Sequence, residues 1–129
     1  MIKLVHNRVE NDGRAQLILS GEIHYFRLPI SQWEDRIIRL KATGCNTVAS
    51  YIPWLCHEPT CGHFDFSGQL AIQQFVALCQ KHEMFFIPRP GPFIMAEMKN
   101  EGIPFWVYEE IPEAIIKGPG RGIKNISCF

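Results

Sequence analysis

The sequence lacks an excess of charge of either sign, and it lacks any long hydrophobic run. Thirteen lysines and arginines balance thirteen aspartates and glutamates, so no net field draws the chain to nucleic acid or to an anionic membrane. No apolar stretch approaches the ~20 residues that cross a bilayer. Residues 1–6 are too short and too quickly polar for a signal peptide. The sequence therefore predicts a cytoplasmic protein with neither nucleic-acid nor membrane partners.

Paired cysteines are also missing. The five cysteines are odd in number and include no C-x-x-C pair, which argues against a secreted disulfide framework and predicts reduced thiols. One loop does gather residues that zinc prefers, namely Cys56, His57, Cys61 and His63. Structural zinc sites usually pair close ligands from two separate elements, whereas these crowd one loop. We therefore predict no metal and no cofactor, and zinc in the purified protein would contradict this.

Hydrophobic residues make up 47% of the chain, and their spacing changes between that of strands and that of helices. A β-hairpin is predicted for residues 2–9 and 15–19, which flank the turn signal Asn11-Asp12-Gly13. Residues 22–28 predict a strand that ends before Pro29. The N-terminal third is therefore expected to hold a hairpin and the first strand of a larger sheet.

A helix is predicted to begin at Ser31, because Ser31 and Glu34 have the spacing of a capping box. Its apolar stripe and its C-terminal glycine are Trp33, Ile37, Ile38, Leu40 and Gly44. The remaining pattern predicts a strand at 45–52, a loop at 54–68, a helix at 69–82, a strand at 84–87 and a proline-rich loop at 89–93.

Strands that alternate with helices of about a dozen residues predict an α/β fold with a parallel sheet. An eight-stranded (β/α) barrel takes roughly 250 residues, so in a barrel more than half would lie outside this chain. Regular structure is expected to stop near Lys117, ahead of an irregular Gly-rich tail at 118–129. Three strands leave two open sheet edges, which predict self-association of the isolated chain.

Polar side chains lie within or just after the predicted strands. They are His24 and Arg27 after or within the first strand, His57 and Glu58 after the second, and Arg89 and Glu97 after the third. In (β/α) barrels the active site is built at that edge of the sheet. Aromatic residues nearby offer flat apolar faces to a sugar ring, while carboxylates and a guanidinium bond its hydroxyls. The pattern indicates a candidate sugar pocket.

Seven segments in order give the chain a close resemblance to a known family. They are residues 20–27 (SGEIHYFR), 33–36 (WEDR), 41–48 (KATGCNTV), 51–54 (YIPW), 57–59 (HEP), 64–68 (FDFSG) and 89–93 (RPGPF). These segments resemble glycoside hydrolase family 35, and the resemblance runs from residue 20 to about residue 107. It implies a (β/α)₈ TIM-type barrel of which residues 1–117 hold about the first three βα units.

The resemblance implies a retaining hydrolase of terminal β-D-galactosyl bonds. Such an enzyme uses one glutamate as acid/base and another as nucleophile, with their carboxyl groups about 5 Å apart. In the family these glutamates follow the fourth strand and lie near the seventh, and this chain has neither stretch. The pair Asn100-Glu101 comes too early for the family's Asn-Glu motif. No catalytic residue is therefore assigned, and the chain by itself is expected to be inactive.

The resemblance assigns substrate contacts to Tyr51, Ala96 and Glu97, which match galactose-contacting positions of the family. Departures from the family pattern of animal members are Leu55 for asparagine, Met95 for cysteine, Met98 for tryptophan and Glu101-Gly102 for Gly-Gly. The lost tryptophan leaves the sugar preference open. Secondary candidates are Arg89, Glu58, His57 and Trp54. For Arg89 the alternative role is to brace neighbouring carboxylates, since a buried guanidinium needs partners, and for His57 it is a structural hydrogen bond.

Three hypotheses about function stay open on the sequence. The first is a β-galactosidase-like hydrolase whose sugar pocket is only partly encoded here, with a galactoside as its substrate. The second is a small carbohydrate-binding or interaction module without catalysis. The third is a truncated or frame-shifted gene product, in which case an Asn-Glu motif should be found in the DNA just downstream. Galactose binding with or without hydrolysis separates the first two.

Overall fold

The computed structural model describes residues 2–110, which contain two small sheets. The first is an antiparallel meander of β1 (Ile2–Val5), β2 (Arg8–Asn11) and β3 (Arg14–Ala15). The second is parallel, in the order β4 (Ser20–Glu22), β5 (Thr47–Ile52) and β6 (Phe85–Pro90). The predicted end of regular structure near Lys117 and the predicted tail at 118–129 lie outside the described residues.

Helices connect the parallel strands, which confirms the predicted α/β class. They are α1 (Ile30–Ala42), α2 (Trp54–His57), α3 (Ile72–Lys81) and α4 (Trp106–Glu110). Short 3-10 helices cover Tyr25–Arg27, Gly68–Leu70 and Lys99–Gly102. Helix α1 links β4 to β5 and α3 links β5 to β6, and the two helices contact each other. None of the helices in residues 2–110 is long and apolar enough to cross a membrane.

The main core lies between the parallel sheet and helices α1 and α3. Trp33 and Ile37 of α1 and Phe75 and Cys79 of α3 are buried there against Val48 of β5. These are the i, i+4 positions of the two helices, which is why the apolar stripe reaches the sheet. Burial raises the pKa of the Cys79 thiol to about 11, so this cysteine is a packed apolar group.

We call the face of the parallel sheet opposite helices α1 and α3 the open face. Side chains alternate along a strand, so Val48 points to the helices and Tyr51 to the open face. Gly21 also lies on the helix side, where a Cβ would come within 2.4 Å of the Leu40 side chain. Its neighbour Glu22 is therefore on the open face, where Ile87 of β6 is 39% exposed.

The predicted loop at 89–93 begins too early, because β6 continues through Pro90. The Phe85 amide donates to the Asn46 carbonyl, so it lies on the side of β6 that faces β5. Amides point alternately to the two sides of a parallel strand. The amide positions of Pro88 and Pro90 therefore face away from β5, toward the open edge. A proline at these positions removes no hydrogen bond between β5 and β6, and sheets tolerate proline at such edge positions.

Three N-terminal strand predictions are wrong in part. Of the strand predicted at 15–19, only Ala15 lies in a strand, at the end of β3. The strand predicted at 2–9 is broken by a turn at His6 and Asn7, whose φ angles are 45° and 64°. That left-handed pair matches the twist of a two-residue hairpin, and the predicted turn at Asp12-Gly13 adds a second hairpin. The strand predicted at 22–28 ends at Glu22, because Tyr25 turns into a 3-10 helix that buries its ring completely. Tertiary packing overrides β propensity here.

The helix boundaries were predicted with mixed success. Helix α1 begins at Ile30, with Pro29 in the N-cap position and no capping side chain, so the predicted capping box at Ser31 is wrong. Gly44 does end the helix, with φ of 92°. Ile38 is 48% exposed and lies outside the buried stripe. The loop predicted at 54–68 contains the one-turn helix α2, because two of its residues are pulled into a buried cluster described below.

Candidate functional site

Three side chains from three parallel strands meet on the open face at the carboxyl ends of the strands. They are Glu22 of β4, Tyr51 of β5 and Arg89 of β6, and we call them the strand-end row. Arg89 forms an ion pair with Glu22 through Nη1 and donates through Nη2 to the Tyr51 hydroxyl at 2.5 Å. Its Cζ atom also lies 3.9 Å from the centroid of the Tyr51 ring. One guanidinium thus ties all three strands together.

His24 extends the strand-end row from the residues that follow β4. Its ring lies 5.4 Å from the Tyr51 ring, centroid to centroid. Burial lowers the pKa of His24, Arg27 and Arg89 lower it further, and the carboxylates of Glu22 and Glu97 oppose them. The imidazole is therefore neutral near pH 7. Its Nδ1 atom is buried without a hydrogen-bond partner among residues 2–110.

The loop after β6 brings Ala96 and Glu97 to the same edge of the sheet. Glu97 is exposed, and it is close enough for its charge to act on His24. Met95 and Glu97 have φ angles of 41° and 44°, and the buried Ala96 between them accepts a hydrogen bond from the Arg27 guanidinium through its carbonyl. Left-handed backbone at non-glycine residues is held only by such surrounding contacts, and it often marks functional sites.

The same loop turns back at Gly102, whose substitution should be costly. Gly102 has φ of 85°, and a Cβ there would lie 2.6 Å from Cγ1 of Ile94, a side chain only 3% exposed. We expect Gly102→Ala to lower the free energy of unfolding by about 2 kcal/mol, through both backbone strain and overpacking. Urea denaturation measures this.

The matched control for Gly102→Ala is Gly13→Ala. Gly13 has a similar φ of 78°, but nothing lies within 4 Å of its Cβ position. Gly13→Ala should therefore lower the free energy of unfolding by only about 1 kcal/mol, through backbone strain. Equal losses in the two variants would show that contact with Ile94 contributes nothing.

Glu58 and Trp54, two of the predicted secondary contacts, lie in a buried cluster instead of on the open face. The Glu58 side chain is fully buried, and each carboxylate oxygen has a donor: Trp54 Nε1 at 2.5 Å and the Gly62 amide at 2.7 Å. Trp106 Nε1 donates to the Glu58 carbonyl at 3.0 Å. A carboxylate satisfied in this way braces the loop after β5.

Both ring nitrogens of His57 are likewise engaged in hydrogen bonds within the protein. Its Nδ1 atom lies 2.8 Å from the Asp65 carbonyl, which only accepts, so Nδ1 carries the proton. Nε2 then accepts from the Tyr25 hydroxyl at 2.6 Å. Burial raises the pKa of Tyr25, which keeps that hydroxyl protonated. Phe66, exposed by 53%, stacks on the imidazole with ring centroids 4.8 Å apart.

The structure therefore divides the predicted site residues into two groups. Tyr51, Ala96, Glu97 and Arg89 lie at the carboxyl edge of the sheet. Trp54, His57 and Glu58 are buried in the segment that follows β5. None of this tests contact with a sugar, which stays a prediction. No cluster of three or more metal-binding side chains occurs within residues 2–110.

Sequence reasoning missed Glu22 as a member of the site, and it placed Arg27 there without a role. Glu22 is the partner of Arg89, and Arg27 holds the loop at Ala96. The available signal for Glu22 was an acidic residue at one strand end with a basic residue at another. It was not specific without the strand register that brings the two together.

Comparison with known proteins finds relatives among glycosidases. The chain is 46% identical over 99 residues to human β-galactosidase-1-like protein 3, covering 77% of this chain and 15% of that protein. It is 41% identical over 127 residues to the exo-β-D-glucosaminidase of Pyrococcus horikoshii, covering 90% and 16%. With the β-galactosidase of Felis catus it shares 40% over 111 residues, covering 86% and 16%. The chain thus spans about one sixth of the length of these relatives.

A solved structure shows a related fold. The exo-β-1,4-mannosidase Op5Man5 from Opitutaceae bacterium strain TAV5 superposes with a TM-score of 0.53 at 17% identity, covering 73% of this chain and 18% of that one. Identity at this level speaks to fold alone. The model of the Glycosyl hydrolases family 35 matches residues 8–115. This match, over most of the residues and together with the curated relatives, shows that the chain belongs to glycosyl hydrolase family 35.

Proposed function

We propose that residues 2–110 form the first three βα units of a (β/α)₈ catalytic barrel and supply one side of its sugar pocket. The open face of the parallel sheet supports this, because its polar strand-end row lies where barrels build their active sites. The partly exposed Ile87 on that face also suits a barrel interior, which packs side chains from the other strands. The complete protein would hydrolyse terminal β-D-galactosyl bonds with retention.

The observation that carries the proposal is the exposed Glu97 beside the strand-end row. A carboxylate accepts strong hydrogen bonds from sugar hydroxyls, and Tyr51 and His24 offer a polar atom and flat ring faces next to it. Charge-assisted bonds of this kind fix the orientation of a sugar ring. The substrate class follows from relatives named β-galactosidase and exo-β-D-glucosaminidase.

The chain by itself is proposed to bind sugar without hydrolysing it. A retaining hydrolase needs two carboxyl groups about 5 Å apart across the anomeric carbon. Glu22 is neutralised by Arg89 and Glu58 is buried with both oxygens engaged, so neither is positioned to attack or to protonate a substrate. The two glutamates would come from elsewhere in a complete barrel.

The test is a titration of the 129-residue chain with galactose, followed by amide NMR shifts, beside a chromogenic β-galactoside assay. We expect shifts at the carboxyl ends of β4, β5 and β6, no turnover, and about tenfold weaker binding in Glu97→Gln, because a charged acceptor is lost. Glucosamine and glucose titrated in parallel report the sugar preference.

The matched control is Glu83→Gln. Glu83 is an exposed carboxylate before β6, at the opposite end of that strand, and it also has a left-handed φ of 56°. It should bind galactose like the unaltered chain. Equal weakening in both variants, or no shifts in any of them, would refute the sugar pocket. Turnover that Glu97→Gln abolishes would refute the claim that catalysis needs residues from elsewhere.

A further inference from the structure

We propose that Glu22 is a positioning residue, which acts through Arg89 to hold the Tyr51 hydroxyl as a hydrogen-bond donor toward the sugar. The inference rests on the sugar pocket proposed above. It assigns Arg89, a candidate for direct sugar contact, to the orientation of Tyr51 instead. It also assigns a role to Glu22, which sequence reasoning did not place in the site.

The geometry of the strand-end row is the first step. Arg89 uses a different nitrogen for each partner, Nη1 for Glu22 and Nη2 for Tyr51. A guanidinium is a planar fork, so fixing one nitrogen on a carboxylate fixes the direction of the other. Without Glu22 the long Arg89 side chain would keep only the Tyr51 contact, on a flexible stem. Glu22 thus sets where Arg89 points.

The second step is the direction of the hydrogen bond to Tyr51. A guanidinium has no acceptor atom, so at 2.5 Å the phenolic oxygen must accept from Arg89. The single phenolic proton is then left for another acceptor. No such acceptor for Tyr51 occurs in the part of the chain that the structure describes. The Tyr51 ring contacts both the Arg89 guanidinium and the His24 imidazole on the open face, where this proton is available to a ligand.

The experiment is a double-mutant cycle on galactose affinity with Glu22→Gln, Tyr51→Phe and the combined variant. If Glu22 acts through Tyr51, Glu22→Gln should weaken binding about fivefold in the unaltered chain and by much less than twofold in the Tyr51→Phe background. A nitrogen-15 spectrum of the Arg89 guanidinium gives a second readout. Its Nη protons should be resolved in the unaltered chain and merged by free rotation in Glu22→Gln.

Controls keep the outcomes distinct. Glu83→Gln should change neither the affinity nor the Arg89 signals, and thermal melting of each variant checks that it is folded; Glu22 is half exposed, so its loss should leave folding intact. Equal fold-losses for Glu22→Gln in both backgrounds would overturn the inference and leave the sugar pocket standing. An unaltered chain that does not bind galactose would overturn the sugar pocket and this inference together.

Discussion

Replacement of Trp33 by alanine is expected to lower the free energy of unfolding by about 4 kcal/mol, the range for a large aromatic removed from a tightly packed core. Trp33 is fully buried, and its ring meets Tyr25 and Phe75 edge to face at 6.3 and 5.5 Å between centroids. Its Nε1 also lies within hydrogen-bond distance of the Tyr25 and Leu28 carbonyls, at 3.1 and 3.2 Å. The variant therefore leaves both a cavity and two carbonyls without this donor.

Urea denaturation followed by circular dichroism measures the loss at Trp33. Ile38→Ala is the control on the same helix, since Ile38 is 48% exposed and its removal should cost well under 1 kcal/mol. A small loss at Trp33, or similar losses at both sites, would mean that α1 does not pack on the sheet as described.

Glu58→Gln should be the most damaging of the Glu→Gln changes, lowering the free energy of unfolding by about 3 kcal/mol. Glutamine keeps the size of glutamate but has one acceptor oxygen, whereas the buried carboxylate accepts from both Trp54 Nε1 and the Gly62 amide. One of these donors would therefore face the new amide NH₂ group. We expect a lower melting temperature and altered tryptophan fluorescence.

The control for Glu58→Gln is Glu83→Gln, which removes an exposed carboxylate of the same type. It should melt within error of the unaltered chain. A Glu58→Gln variant of unchanged stability but impaired galactose binding would contradict the bracing role, and it would return Glu58 to the set of sugar contacts.

The elements that the sequence predicts best are those whose signal is local and repeated. Helix α3 has apolar residues every three to four positions along its buried stripe. Gly44 has a positive φ, which glycine adopts more easily than other residues. Predictions were wrong where a distant contact decides the conformation. Tyr25 sits in a strand-like run, yet its burial against Trp33 and Phe75 bends the chain into a 3-10 helix.

The candidate site divides in the same way. Family resemblance identifies Tyr51, Ala96 and Glu97, and it needs only the order of residues along the chain. The contact of Arg89 with Glu22 joins residues 67 apart in the chain, and it depends on the stagger of three parallel strands. The register between neighbouring strands cannot be read from a sequence before the strand pairing is known, so the ion pair was not predicted.

The prolines of β6 have a consequence for the nascent chain on the ribosome. Once residues 2–110 have emerged, β6 is an edge strand of its sheet. A strand of another chain that pairs with such an edge needs amide donors as well as carbonyl acceptors. With Pro88 and Pro90 in the outward positions, Phe86 is the one outward residue of β6 that keeps an amide hydrogen. The prolines thereby guard the nascent chain against aggregation through this edge.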